Sequence, residues 1–233
     1  MKNYFLLKKA SEPNIIGVKN GVYQAKIKKE KITKKSSFDD MLNLFRKSQI
    51  NDKNIIKNKD LDIEYVELLK GAKITDVLYF SPFLKGCFGL FNQKAKDIFQ
   101  VFKLPKHNFF EALLYDKDSN YLETYQLLYH YSEEIEVINF KESIFKSGFE
   151  EFGNVKYYQF NNYEDYLLKK DSIDGYFFRI DKIKLKDTFD FDLDFFHIPL
   201  AGYFVSEDLK NAIEKNLITG IYVLSQHFSP AII

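Results

Sequence analysis

Three aspartates spaced two residues apart are the first candidates for chemistry in this chain. Asp190, Asp192 and Asp194 stand in the segment FDFDLDF and have the spacing that opens a calcium-binding loop. Such a loop also needs a glycine at its sixth position and a glutamate at its twelfth. Phe195 occupies the sixth position and no glutamate occupies the twelfth. The alternation therefore predicts an acid-faced strand over 189–195, with no bound metal.

The histidines and the cysteine give no catalytic pattern. His107, His130, His197 and His227 lie far apart in sequence, without metal-ligand spacing. Cys87 is the only cysteine, so an internal disulfide is excluded, and its apolar surroundings predict a buried, inert thiol. The chain has no phosphate-binding loop, nucleophile elbow or zinc-protease helix motif. The sequence predicts a non-enzyme without cofactors; an enzyme whose site forms only in three dimensions is an alternative.

The charge of the chain is nearly balanced but unevenly distributed. The net charge is +1, with +9 in residues 1–60 and −8 in the remainder. The most basic segment, KIKKEKITKK at 26–35, contains neither arginine nor an aromatic residue. Nucleic-acid grooves combine positive charge with stacking side chains. We therefore expect a solvated hairpin or loop here, and nucleic-acid binding through 26–35 is the alternative function.

The elements that would position these residues predict an α+β fold, with mixed sheets and a few short helices. Two strand–helix units occupy residues 88–104 and 203–223, with Asn92 and Ser206 at the positions of helix N-caps. The second helix is expected over 206–216. Its apolar residues recur at helical spacing and predict one buried face: Leu209, Ala212, Ile213 and Leu217.

Further elements follow from periodicity and turn residues. An aromatic hairpin is predicted over 109–115 and 121–131, across the turn DKDSN. Strands are also expected at 4–7, 22–27, 74–80, 136–140, 155–160 and 176–183. Helices are expected after Ser37, with Phe38, Met41, Leu42 and Phe45 on one face, and after Asn162. The segment 61–70 fits either a strand or a helix, and 49–59 reads as a mobile loop. Arg179 is expected to bind a carboxylate at the edge of the core, with Asp181 nearby.

The chain reads as a single globular domain over 1–233, with a division into lobes at 1–73 and 74–233 as an alternative. No apolar run approaches the length of a membrane span, and the first residues lack the core of a signal peptide. We therefore expect a soluble, cytoplasmic protein.

The order of segments resembles a known group of proteins. A strand and capped helix (LFNQKAKDIFQVFKL) precede an aromatic arm (YLETYQLLYHY) and EVINFKESIF; DGYFFRI and FVSEDLKNAIEKNLITGIYV follow. This outline, over roughly 74–224, resembles the bacterial immunity proteins of polymorphic toxin systems, in particular immunity protein 43 and immunity protein 11. The match is most specific at Ser206–Ile221. Asn92 departs from the serine expected in the first unit, although both residues cap helices.

The resemblance implies a non-catalytic inhibitor that binds a cognate toxin domain in the cytoplasm. Many nuclease toxins are basic because they hold phosphates, so an acidic face would steer association with them. The candidate contact residues are six carboxylates, and the basic amino-terminal region is the alternative contact. The six are Glu133, Glu134, Glu136, Asp190, Asp192 and Asp194.

Overall fold

In a computed structural model of the protein, the described residues are 2–33, 38–39, 42–43, 45, 61–172 and 178–224. The strands, in chain order, are β1 (Tyr4–Lys9), β2 (Ala25–Ile27), β3 (Ile63–Leu68), β4 (Val77–Leu78), β5 (Phe80–Ser81), β6 (Cys87–Phe91), β7 (His107–Tyr115), β8 (Tyr121–His130), β9 (Ile144–Ser147), β10 (Lys156–Tyr158), β11 (Arg179–Lys182), β12 (Phe195–Ile198), β13 (Gly202–Ser206) and β14 (Ile221–Val223). The helices are α1 (Pro13–Ile16), α2 (Gln93–Gln100), α3 (Tyr163–Asp171) and α4 (Glu207–Lys215). The fold is α+β, as predicted.

The chain forms two compact units, each built from separated segments. Unit 1 comprises Met1–Leu7, Glu133–Lys210 and Val223–Ile233, and unit 2 comprises Lys8–Ser132 and Asn211–Tyr222. The alternative division into lobes at 1–73 and 74–233 does not coincide with the boundaries of these two units.

Unit 2 contains a mixed sheet in the order β4-β6-β8-β7-β3-β2-β5. The first and last strands in this order, β4 and β5, are adjacent in sequence and are separated only by Tyr79. The Tyr79 carbonyl accepts hydrogen bonds from the backbone N–H groups of Gln24 and Ala25, at 2.8 and 3.1 Å. The sheet therefore closes on itself, which satisfies the edge groups that an open sheet would expose.

The predicted aromatic hairpin is the longest strand pair of this closed sheet. β7 and β8 pair antiparallel from His107↔His130 to Tyr115↔Tyr121. Tyr125, Leu127 and Tyr129 of β8 are buried in the interior. The undecided segment 61–70 is a strand, β3, which pairs with β7 in parallel.

Unit 1 contains a three-stranded sheet in the order β10-β9-β11, and β12 and β13 form an antiparallel pair. In the four-stranded sheet, β13 also pairs with β1, in the order β12-β13-β1-β14. Phe145 is fully buried between the sheet and α3, where its ring centre lies 5.5 Å from that of Tyr166. Asn162 caps α3 as predicted, since its side chain accepts a hydrogen bond from the Asp165 N–H at 2.8 Å.

Both predicted strand–helix units are present. Asn92 caps α2 by accepting the Ala95 N–H at 3.0 Å, and Ser206 caps α4 by accepting the Leu209 N–H at 3.2 Å. Two residues that were predicted to be buried on one face of α4 are not buried. Ala212 is only partly buried, and Leu217 lies beyond the helix end and is 77 % exposed.

Two predicted strands are absent. The segment 136–140 overlaps a short 3-10 helix at Ile135–Val137. Ile138 then forms an isolated β-bridge with Leu185. Residues 189–194 form turns rather than a strand, and β12 begins at Phe195.

The predicted helix after Ser37 is present where it is described. Residues 38–39, 42–43 and 45 are helical, and Phe38 and Phe45 are buried. Ser37, Met41 and the predicted loop at 49–59 lie outside the described residues.

Candidate functional site

The candidate site is a group of carboxylates in unit 1, here called the acidic surface and defined by Glu133, Glu134, Asp190 and Asp192. Glu134, Asp190 and Asp192 are exposed, and Glu133 is partly buried. Glu133 follows β8 closely, and its N–H donates to the carbonyl of His197 in β12 at 2.8 Å. This bond places Glu133 beside β12, which directly follows the segment that contains Asp190 and Asp192.

The aspartates lie in consecutive turns that are anchored by apolar side chains. The Phe189 N–H donates to the Lys186 carbonyl at 3.0 Å, and the Leu193 N–H donates to the Asp190 carbonyl at 3.2 Å. Phe189 and Leu193 are buried. The Asp190 carboxylate accepts the Asp192 N–H at 3.0 Å, which fixes the turn between them. The Phe-Asp alternation therefore reflects anchored turns, and the predicted row of carboxylates on a strand is wrong.

The electrostatics indicate that three of the carboxylates lie close together. Burial, with the charges of Asp190 and Glu134, raises the pKa of Glu133 above its usual value. A raised carboxyl pKa means that the ionised form is destabilised in the folded protein. Burial is the larger cause, and Asp190 and Glu134 contribute because they lie near enough for their charges to act on Glu133.

Tyr4 lies beside the same group of aspartates. Its hydroxyl donates to the Phe191 carbonyl at 2.6 Å. Burial, followed by the charges of Asp194, Asp190 and Asp192, raises the pKa of Tyr4 well above its usual value. No sequence signal connects Tyr4 with this site, because the two segments lie nearly at opposite ends of the chain.

Asp194 is buried and serves the fold. It is only 8 % exposed, and its carboxylate accepts the Ser206 hydroxyl at 2.7 Å and the Lys2 ammonium at 2.9 Å. Its charge is thus compensated and enclosed, and Asp194 is removed from the candidate contact residues. Glu136 is exposed in the 3-10 helix Ile135–Val137 and is not among the groups that shift the pKa of Glu133.

The basic segment 26–35 is described over residues 26–33, where it is structured and partly neutralised; residues 34–35 lie outside the described residues. It begins in β2 and continues through a 3-10 helix at Lys29–Lys31, so the expected hairpin or loop is only partly correct. Lys28 forms an ion pair with Glu67 at 3.1 Å, and Lys29 forms one with Asp39 at 2.7 Å. Neighbouring carboxylates compete with phosphates for these two lysines.

Three of the four histidines and the cysteine lie within the described residues. His107 Nδ1 lies 2.8 Å from the Pro105 carbonyl, and His130 Nδ1 lies 3.0 Å from the Tyr131 carbonyl. Burial lowers the pKa of His197 to about 4. Cys87 is buried, as predicted, and burial raises the pKa of its thiol. His227 lies outside the described residues.

Neither a metal cluster nor a membrane-spanning helix occurs in the described ranges. Within them, no group of three or more His, Cys, Asp or Glu side chains has a geometry suited to a metal ion. None of the helices in these ranges is both long enough and apolar enough to span a membrane.

Among the described residues, Arg179 has no carboxylate partner, in contrast to the prediction. Its guanidinium Nη2 donates to the Gly148 carbonyl at 2.6 Å, and its Cζ lies 5.5 Å from the centre of the Phe149 ring. Asp181 forms an ion pair with Lys146 instead, at 2.9 Å. The segment GFEEFG at 148–153, which holds Arg179 in this way, gives too short a signal to predict it, because it has only two phenylalanines, three residues apart, between two glycines.

Comparisons with known proteins do not assign the chain to a family. No protein-family model matches the sequence, and no curated protein matches it significantly.

Proposed function

We propose that this protein is an immunity protein that binds a cognate toxin domain in the cytoplasm and blocks it without catalysis. The observation that carries the proposal is the acidic surface, which the bond from the Glu133 N–H to the His197 carbonyl brings together and in which Glu134, Asp190 and Asp192 are exposed. Burial, with the charges of Asp190 and Glu134, raises the pKa of Glu133 there. Holding like charges together costs stability, so a surface of this kind is favoured where a positive partner covers it.

The charge of the whole unit has the same sign. Unit 1 carries 17 acidic and 11 basic side chains, a net charge of −6. A field of this sign accelerates association with basic proteins and repels nucleic acids. Toxin domains that hold phosphates are commonly basic, and the order of segments over 74–224 resembles immunity proteins. These features together favour a toxin domain as the partner of the acidic surface.

The experiment co-expresses this chain with the toxic domain encoded in the adjoining gene. The expected result is restored growth and a complex that co-purifies. Failure of both rescue and co-purification would reject this pair as toxin and immunity protein.

A charge variant then tests the acidic surface separately. Glu133→Gln, Glu134→Gln, Asp190→Asn and Asp192→Asn are combined in one protein. The matched control removes four exposed carboxylates elsewhere in unit 1: Glu151→Gln, Glu164→Gln, Asp171→Asn and Asp187→Asn. Both variants change the net charge equally, so they differ only in the positions of the four carboxylates that are removed.

We expect the first variant to slow association with the toxin domain by about tenfold or more at low salt, and the control to slow it less. The rate advantage of the wild type should decline as salt is added. Equal rates for the two variants would leave the immunity function intact but reject the acidic surface as the contact.

A further inference from the structure

A second surface in unit 1 carries exposed aromatic side chains. Phe149 immediately precedes a 3-10 helix at Glu150–Phe152, and Phe152 ends it; the two side chains are 50 % and 76 % exposed. Their rings pack edge to face with centroids 5.9 Å apart. Two adjacent, exposed phenylalanines are costly to keep in water, and such patches mark interaction sites more often than isolated apolar residues do.

The neighbouring sheet extends this surface. In the register of β10, β9 and β11, Tyr157 and Arg179 both lie directly opposite Lys146. Residues directly opposite one another share a face of the sheet. Tyr157 is 62 % exposed and Arg179 is exposed, whereas Phe145 and Ile180 on the opposite face are buried. We call Phe149, Phe152, Tyr157 and Arg179 the aromatic–arginine face.

The Arg179 guanidinium is held in place but keeps donors for a ligand. One nitrogen donates to the Gly148 carbonyl, and the group lies over the Phe149 ring. A guanidinium has five N–H donors, and Arg179 has no carboxylate partner among the described residues. A guanidinium fixed in this way loses little conformational entropy when it binds a carboxylate.

The cation of this face that lies beside the exposed rings is the Arg179 guanidinium. Lys146 forms ion pairs with Glu150 at 3.1 Å and with Asp181 at 2.9 Å, so one ammonium is shared between these two acids. Lys182, opposite Ile144 in β9, is exposed on the same strand as Arg179. A ligand complementary to the guanidinium and the rings combines a carboxylate with an apolar group.

We infer that the aromatic–arginine face is a protein-binding surface whose partner presents a carboxylate beside an apolar side chain. Aromatic residues and arginine are the residue types that carry most binding energy in protein interfaces. Single-stranded nucleic acid also uses aromatic and arginine side chains. A nucleic acid carries one negative charge on every phosphate, so the net charge of −6 of unit 1 opposes it more strongly than it opposes a protein segment with a single carboxylate.

The test uses the full-length chain and two synthetic peptide pools. One pool fixes Asp or Glu beside randomised apolar residues, and the other has Asn or Gln at the fixed position. Peptides retained on the immobilised protein are identified, and their Kd values are measured by fluorescence anisotropy. We expect retention from the carboxylate pool only.

Two variants of exposed residues then locate the binding. Arg179→Lys keeps the charge but removes the paired donors, and Phe152→Ser removes a ring. Each is expected to weaken binding of the selected peptides by about tenfold or more. The matched control, Leu168→Ser in α3, removes an apolar side chain that is 71 % exposed and should leave the Kd unchanged.

Each of four binding results would overturn the inference, and a fifth concerns self-association. They are equal retention from both pools, no retention from either pool, Kd values that neither face variant changes, and binding of single-stranded oligothymidine that Arg179→Lys abolishes. Self-association that is lost in Phe152→Ser would assign the face to a second copy and would also reject an acidic partner. Unchanged melting temperatures of both variants establish that the comparison concerns binding and not folding.

Discussion

The Asp194 side chain and the Ser206 side chain form a buried hydrogen bond of 2.7 Å at the start of α4. The backbones of the same residues are also joined, because the Ser206 N–H donates to the Asp194 carbonyl at 2.8 Å. Ser206 in turn accepts the Leu209 N–H. Asp194 therefore orients the hydroxyl group that caps the helix.

The first strand–helix unit has the same arrangement. Asn92 donates to the Asp76 carboxylate at 3.0 Å, and its N–H donates to the Asp76 carbonyl at 2.9 Å. Asp76 directly precedes β4, and Asn92 directly follows β6, which pairs with β4. In the same way, Asp194 directly precedes β12, and Ser206 ends β13, which pairs with β12. A lysine four residues after each cap lies over a phenylalanine ring: Lys96 over Phe109 and Lys210 over Phe5. The two strand–helix units thus share the arrangement of cap, aspartate and lysine.

The first prediction concerns this cap. Ser206→Ala should lower the free energy of unfolding by about 1–2 kcal/mol, since a helix N–H loses its acceptor and the Asp194 carboxylate loses a donor. Urea denaturation measures the change. In a double-mutant cycle with Asp194→Ala, we expect a coupling energy of about 0.5 kcal/mol or more, and strictly additive changes would contradict the linkage.

The second prediction concerns the buried side of α4. Leu209 is fully buried, so Leu209→Asp should cost about 4 kcal/mol or more through lost burial and an enclosed charge. The matched control, Leu217→Asp, changes a side chain that is 77 % exposed and should cost little. Thermal unfolding of both variants tests this, and equal destabilisation would contradict the packing of the helix.

Caps were predictable from the sequence because capping is local. Asn92, Asn162 and Ser206 each bind an N–H three residues further along the chain. The two-residue alternation at 189–195 was misleading, because turns anchored by Phe189 and Leu193 produce the same pattern as a strand. The proximity of Glu133 to Asp190 depends on pairing between distant segments, and no local pattern records it.

The third prediction concerns the acidic surface. Because the folded protein raises the pKa of Glu133, its ionised form weakens the fold above that pKa. Glu133→Gln should therefore raise Tm at pH 7 by a few degrees or less. The gain should disappear as the pH falls through the raised pKa, where the wild-type carboxyl becomes protonated. Glu151→Gln, at an exposed position, is the control. A gain that persists at pH 3 would contradict the electrostatic cause.

The fourth prediction concerns His197, whose pKa burial lowers from 6.5 to about 4. Between these values the unfolded chain binds a proton that the folded protein does not, so stability falls as the pH falls. His197→Gln should reduce this loss between pH 6.5 and pH 4. Glu133 titrates with the opposite sign, so the comparison is made in the Glu133→Gln background by urea denaturation. An unchanged pH profile would show that His197 titrates normally.

The fifth prediction concerns Gly220, which has φ +87°. A Cβ at this position would lie 2.0 Å from the Val77 carbonyl oxygen. Gly220→Ala should cost more than about 3 kcal/mol or prevent folding, because backbone atoms must move. Gly153 has φ +61°, and a Cβ there would meet no atom within 4 Å, so Gly153→Ala should cost only about 1–2 kcal/mol. Comparable unfolding free energies for the two variants would contradict the close approach at Gly220.

The segmented construction of both units has a consequence for synthesis of the chain. Tyr4 in β1 pairs with Ser206, and Asp76 accepts hydrogen bonds from the N–H and hydroxyl of Thr219 at 2.8 Å. A nascent chain therefore carries early segments whose partners have not yet been translated. Domains commonly fold in order from the amino terminus as they emerge. Here neither unit can be completed in that order, and both reach their final state only after residues 203–223 have left the ribosome.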